Sequence, residues 1–541
     1  MSFKISGTIT RNMFFFLLLI GLCWVYHYAD ILAMRPKGIH QWRQTECLST
    51  TDNYYQHGMH FLEPEGHLQE SDHNTSGNYT LEFPLLYYIV AALWKVFGRH
   101  EFIFRLLNIL ISFAGLFALF KMAGRLLNDY FWSLAVTLFL FCSPIFVNYS
   151  NSFIINAPAF SLMLIACYFF FRFWEEGRER FFYISMFIFL FVGLLKVSTL
   201  ISFFVIGLLC LLEVSGLVRL SSNKKIFRQP LLQLLSMTGV LIGITGWYTY
   251  MSHYNAMHHA LAGSYTGAMM PLWKLSAAEL SAHWQSFKDF LIYQIYSIPA
   301  FIFLLICCFL LATRPSQVPT ATKLILPLLF FGYLSVILIF SQSFTVHDYY
   351  HIDSLAFTTC LCMCSFYFLK TRYPALYQSR WSKITFALFL VFNILYCENN
   401  MSMRYWRMND ATRDYRRTFA SKSEMDWWNY MNFAYFYGPY ETATPVLRKL
   451  GLKPDDKVIC PEDESPAISL YLLEQKGWTK CTPLNDSDAI AAKIGYGASY
   501  LILSDTNYYR KPAIRPFIHY PLGQSGQLHV FDLRPYARMR K

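Results

Sequence analysis

Long stretches of this chain carry almost no charge. Residues 13–28, 106–122, 131–147, 231–250, 291–312 and 324–340 each come near the roughly 20 residues that cross a bilayer core as a helix. Lipid offers no hydrogen bonds, so such runs must satisfy their own peptide groups, and helices are the form that does so. Composition agrees, with 55% of the 541 residues hydrophobic, 18% aromatic and only 15% charged. A soluble chain of this length carries more charge. The class that follows is a polytopic α-helical membrane protein.

The first segment, MSFKISGTITRN, is basic. No small-residue cleavage site follows the first apolar run, so that run is read as a retained helix. The formal net charge of +12 fits Lys and Arg anchoring the cytoplasmic ends of helices, and nothing in the sequence favours nucleic-acid binding. Most of the 13 cysteines lie in apolar runs, where a thiol behaves as a small hydrophobe. Cys460 and Cys481 lie in the polar tail and could pair if that tail sits in an oxidising compartment.

Basic residues also set an expected topology. Connections at 121–129, 175–180, 219–229, 313–323 and 370–383 are rich in Lys and Arg and belong on the cytoplasmic side. The parity works if 131–147 pairs with 160–173, 181–212 folds as two short spans, 231–250 pairs with 291–312, and 324–340 pairs with 355–369. A last span at 384–396 brings the total to about eleven crossings, with the amino terminus inside and the carboxyl terminus outside. The stretch FPLLYYIVAALWKVFG (83–98) is apolar but short. Counting it as a span would place the basic 219–229 connection outside, so it is read as an interfacial helix. The same parity puts Lys196 at an outer turn, where it either reaches the headgroups or meets an anion. Four polar segments share the outer face, at 34–105, 148–158, 251–290 and 341–353. Beyond residue 398 the pattern becomes that of a soluble domain. A helix, turn and strand are expected over 446–460, a helix over 470–478 and a second strand over 498–505. The expected organisation is a membrane domain, 1–397, with an outer loop at 34–105, and an extracytoplasmic α/β domain, 398–541. No internal repeat, Gly-rich phosphate loop or metal-type cysteine spacing is visible.

Just after the first span stands HQWRQTE, His40 to Glu46. A connecting loop has no need to gather a histidine, a tryptophan, an arginine and a carboxylate. Taken with NYYQHG, EFPLLYYIVAALWKVFG and RLLNILISFAGLFALFKMAGRLL, it resembles the GT-C glycosyltransferases of bacteria that use polyprenyl-phosphate sugars. That group includes protein O-mannosyltransferases, the aminoarabinose transferase of lipid A and rhizobial lipopolysaccharide transferases. The resemblance covers residues 1–396. It is good over 38–58 and 82–98, fair at HDYY (347–350), and does not extend to the tail. It implies a GT-C fold and an enzyme of the bacterial cytoplasmic (inner) membrane. Such an enzyme moves a sugar from a polyprenyl-phosphate donor to a glycan, lipid or protein acceptor on the outer face, with inversion.

A polyprenyl phosphate leaves readily once its charge is held. The chemistry therefore asks for one carboxylate base on the acceptor hydroxyl and for cationic or hydrogen-bonding groups on the phosphate. Glu46 is the candidate base, where relatives usually carry aspartate. Two alternatives stand beside it. It could be an acid that merely suits a helix start, or Trp42-Arg43 could align with the acidic pair that opens this helix in aminoarabinose transferases. Glu82, where family members carry an acid, is the second carboxylate. It would orient the acceptor or, with His258 and His259, hold a divalent metal ion. Arg43 is the candidate for bidentate contact with the donor phosphate, helped by Lys196, His347, Tyr349 and Tyr350. His40 and Asn156 are candidate substrate contacts. Many relatives carry an acid just before the proline that follows Asn156, and an amide cannot act as base, which moves the weight to Glu46. The acid- and His-rich run 60–73 lacks regular ligand spacing and reads as a solvated loop. A transporter or flippase for lipid-linked sugars would show mid-membrane charges and paired repeats, and neither is evident. A non-catalytic binding subunit of the same fold stays open. Expected partners are the lipid-linked donor, the acceptor and membrane lipids.

Overall fold

The computed structural model describes residues 7–221, 224–260, 271–341, 344, 347–406 and 437–539. The chain divides into two compact units. One comprises Met1–Ala33, Arg105–Trp247 and Met269–Trp428, and the other Met34–Phe104, Tyr248–Ala268 and Asn429–Lys541.

The first unit is helical. Across the described residues, seven helices are long and apolar enough to cross a membrane, Glu101–Leu127 and Arg380–Tyr405 among them. A helix pair bent at a short break would make an eighth if it is one span, and Ile9–Val25 and Ile298–Ala312 are shorter apolar helices. The polytopic helical class is therefore observed. Two of the expected spans are interrupted. The run at 131–147 breaks into Tyr130–Leu140 and Pro144–Ser150, bent by 78°, because a proline offers no amide to continue the first helix. The Phe141 carbonyl at the break accepts the Tyr26 hydroxyl at 2.9 Å. The run at 291–312 becomes a continuous helix only from Ile298, since Tyr296 is extended (φ −155°). Ser297 then caps the new start through the Ala300 amide, with a proline in the first turn. The segment 181–212, expected to fold as two short spans, forms two helices, Glu179–Leu195 and Val197–Val214, parted where Lys196 is extended (φ −156°, ψ 106°). Outward-facing Leu305, Phe309, Phe331 and Leu388 are all more than half exposed, as lipid-facing side chains of an apolar helix are.

The second unit gathers distant stretches of chain around a five-stranded sheet of order β2-β1-β3-β5-β4. Its strands are β1 Lys457–Cys460, β2 Gly477–Thr479, β3 Ala498–Leu503, β4 Pro521–Ser525 and β5 Leu528–Asp532. β1 runs parallel to β2 and β3, and β5 antiparallel to β3 and β4. Ile459, Trp478, Leu501, Leu503 and Phe531 form its core. The helix expected over 470–478 ends at Leu473, because Glu474 turns left-handed (φ 54°) and Gly477, Trp478 and Thr479 become a strand. The first polar loop joins this sheet at its edge. Leu68 pairs in parallel with Gly477, the Gly477 amide donates to His67 at 3.0 Å, and Gln69 donates back to Gly477 at 2.8 Å. Helix Gln41–His57 packs on both Leu85–Phe97 and Ile468–Leu473. Leu85–Phe97 buries Leu86, Tyr87, Val90, Ala91 and Trp94 along one helical stripe, leaving Val96 and Phe97 exposed. Cys460 and Cys481 are both free thiols.

Candidate active site

In the second unit, helix Gln41–His57 opens with Arg43 and Glu46 one turn apart, and the turn before helix Leu85–Phe97 supplies Glu82. Residues three apart share a helix face, and here they meet: Arg43 Nη1 donates to Glu46 Oε2 at 3.2 Å. The other guanidinium nitrogen, Nη2, lies 2.5 Å from Glu82 Oε1. That second contact is an ion pair without hydrogen-bond alignment. One guanidinium thus bridges two carboxylates in a pocket also lined by Thr50, Tyr79 and Tyr87. The three charged side chains are only 19%, 13% and 9% exposed, in the order Arg43, Glu46 and Glu82. Burial pushes the Glu46 carboxyl above its ordinary pKa, and the anionic Glu82 adds to this, while Arg43 opposes it without cancelling it. A carboxylate raised in this way keeps a proton to higher pH and so makes a better proton acceptor near neutrality.

His40 precedes the first residue of the helix, half-buried, with left-handed backbone (φ 60°). His258 is not at this pocket's lining; its Nδ1 lies 3.0 Å from Asp72 Oδ2, and the His259 and His73 rings meet at a tilt with centroids 4.5 Å apart. No group of three or more His, Cys, Asp or Glu among the described residues is arranged to hold a metal ion. Glu82 already faces a guanidinium, so this donor set does not fit a divalent cation.

The first unit brings the other candidates together. Lys196, at its helix break, lies 4.1 Å from the Tyr350 ring centroid and 6.0 Å from that of Tyr349. The His347 ring stacks on Tyr349 at 5.1 Å, and Asn156 Nδ2 donates to the Tyr349 carbonyl at 3.3 Å. Behind them is a buried framework that no sequence motif marks. Asp348 accepts Arg404 Nη2 at 2.8 Å and also the Tyr149 hydroxyl, both ends of the ion pair being 1% exposed. Arg404 reaches Gln294 as well, at 2.7 Å, and Asp353 accepts Thr199 at 2.8 Å. Asp348 and Asp353 flank the quoted tyrosines, but nothing near Arg404 in sequence announces its partner.

Ser49, His67 and Asp52 make a sequence of contacts that superficially suits nucleophilic catalysis. Ser49 Oγ is 2.7 Å from His67 Nδ1 and His67 Nε2 is 3.4 Å from Asp52 Oδ2. All three are buried, however, so no substrate reaches the hydroxyl. Asp52 instead accepts Arg99 Nε at 2.6 Å, and Arg99 also pairs with Glu474. Burial acts to raise the Asp52 pKa, but the bonds and charges of His67 and Arg99 outweigh it and hold it below its ordinary value. The role is a fastening between helix Gln41–His57, the loop beyond it and the tail.

Residues 82–249 match the family described as dolichyl-phosphate-mannose-protein mannosyltransferase. The whole chain is similar in fold to ArnT from Cupriavidus metallidurans. Its apo crystal structure aligns with a TM-score of 0.57 at 10% identity, over 97% of this chain and 98% of that one. The ArnT crystal structure with bound undecaprenyl phosphate aligns with a TM-score of 0.54 at 11% identity, over 95% and 97%. No curated protein matches the chain significantly. The fold is the GT-C fold, carried by apolar helices with a small sheet in the tail.

Proposed function

We propose that this protein is a membrane glycosyltransferase that takes a sugar from a polyprenyl-phosphate donor and places it, with inversion, on an envelope glycan, lipid or protein. The observation that carries the reading is the Arg43-bridged pair, Glu46 and Glu82, lining a pocket in a GT-C fold. The match of 82–249 to a dolichyl-phosphate-mannose-dependent family and the binding of undecaprenyl phosphate by the similar ArnT support the donor class. The distribution of Lys and Arg supports an orientation with the tail and the reaction on the outer side, and the family resemblance supports the cytoplasmic membrane.

In this reading Glu46 takes the proton of the acceptor hydroxyl as that oxygen attacks the anomeric carbon. The bond to the phosphate oxygen breaks, and polyprenyl phosphate leaves with both electrons. Arg43 holds Glu46 in place and, with Glu82, sets its basicity. Within the first unit, Lys196, His347, Tyr349 and Tyr350 are a cation and hydrogen-bond donors of the kind that hold a phosphate, with Asn156 beside them as a candidate substrate contact. His40, in the second unit, is the other candidate substrate contact.

The test is transfer in reconstituted vesicles, using a panel of radiolabelled polyprenyl-phosphate sugars with envelope acceptors. Glu46→Gln keeps the shape and removes the base, so kcat is expected to fall by about a hundredfold or more while donor still binds. Equal turnover by the variant would move the base elsewhere. Absence of polyprenyl phosphate release by the wild type with every donor would favour the transporter or binding-subunit reading.

A further inference from the structure

The loop that leads to Glu82 is gripped by the last turns of helix Pro230–Met257 and the residue after it. Tyr250, Tyr254 and His258 recur every four residues and so lie along one face. The Tyr250 hydroxyl donates to the Leu62 carbonyl, the Tyr254 hydroxyl to Pro64 at 3.2 Å, and the His258 carbonyl accepts the Asp72 amide at 2.6 Å. Asn255, 4% exposed, makes a different kind of contact. Its Oδ1 accepts the Thr80 amide at 2.9 Å and its Nδ2 donates to the Thr80 carbonyl at 2.8 Å. One amide side chain thus serves the backbone of Thr80 as a neighbouring strand would. The Thr80 hydroxyl then donates to the Glu82 carbonyl at 2.9 Å, which carries the grip to the backbone of the residue whose carboxylate faces Arg43.

We infer that Asn255 is a positioning residue for the candidate active site, holding Glu82 against Arg43 and thereby setting the charge around Glu46 without touching substrate. The inference rests on the glycosyltransferase reading above. Only a carboxamide supplies both halves of the bracket: aspartate would turn a second acceptor toward the Thr80 carbonyl, and alanine would supply neither half. Among the described residues, the charged and titratable groups around Glu46 are Arg43, Glu82, Cys47, Tyr79, Tyr87 and Cys481. If Glu82 moves off, Glu46 loses a neighbouring anion and a competitor for Arg43, its own anion gains, and the acid limb of turnover shifts to lower pH.

The experiment measures kcat and KM against pH, thermal unfolding and amide exchange at residues 79–83, on the full chain in vesicles. Wild type is compared with Asn255→Asp, Asn255→Ala and Tyr254→Phe, the last removing a contact from the same helix face but none to Thr80. Expected for both Asn255 variants is a kcat lower by roughly tenfold, donor KM within about twofold, an acid limb moved to lower pH and faster exchange at 79–83. Tyr254→Phe is expected to unfold earlier with its acid limb in place. Asn255 variants that unfold earlier but keep the wild-type kcat and acid limb would overturn the inference. If the wild type transfers no sugar at all, the function reading fails by itself, and exchange at 79–83 then decides the grip: unchanged exchange in both variants overturns it.

Discussion

At the scale of single residues the candidate site is one cation between two anions. Arg43 cannot neutralise both carboxylates fully, and burial makes the remaining charge costly, which is why Glu46 is the group driven toward its neutral form. Replacing Glu82 by glutamine removes an anion that favours the proton on Glu46 and also a carboxylate that competes with Glu46 for Arg43. Both changes lower the Glu46 pKa, so the acid limb of the pH–rate profile should move to lower pH in Glu82→Gln. A pH–rate series on the reconstituted variant checks this, and an unmoved or raised limb would show that Glu46 and Glu82 are not coupled. Arg43 and Glu46 were legible in sequence because one helical turn holds both. Asn255 was not, because it meets Thr80 across 175 positions and an asparagine in an aromatic stretch has no distinguishing pattern.

At the scale of elements, apolar runs placed the helices and breakers shaped them. Pro144 ends one expected span, and Lys196, extended between two helices, ends another, bringing its amine over Tyr350. In the tail, hydrophobic periodicity marked β1 and β3 but carried a helix through Gly477, where a strand forms instead. The reason is a close approach: a Cβ on Gly477 would lie 1.9 Å from the Val458 carbonyl oxygen. Only a residue without a side chain lets β2 pair with β1 while its amide also binds His67. Gly477→Ala should therefore destabilise the sheet by about 3 kcal/mol, read as an earlier unfolding of the tail followed by Trp478 emission and amide exchange across β1 and β2. An unchanged midpoint would mean that the β1–β2 pairing is looser than this contact requires.

At the scale of the whole molecule, composition and charge make a prediction about orientation. If the basic connections lie in the cytoplasm, alkaline phosphatase fused after Lys541 should be active and the same reporter fused after Lys225 inactive, with a cytoplasmic fluorescent reporter giving the reverse. Activity at both positions, or the opposite pattern, would overturn the orientation and with it the outer-face reaction. Chain order also conceals how the molecule is divided. The second unit draws on three stretches far apart in sequence, and the first polar loop supplies an edge to the tail's sheet. A chain read in order treats that loop and that tail as separate regions, since strand pairing between residues 68 and 477 leaves no local trace.

Read alone, the sequence established a membrane-spanning helical chain, a small α/β tail and a charged cluster after the first helix. These follow from local properties: lengths of apolar runs, spacing of charges, alternation in strands. Tertiary structure alone decided that Arg43 bridges Glu46 and Glu82, that Asp348 and Arg404 bury their charges together, and that Asn255 brackets Thr80. Each is a contact between side chains whose positions depend on the packing of elements distant in sequence. The strength of such a contact depends on the low dielectric around two partners buried together, a condition that no local stretch of sequence expresses.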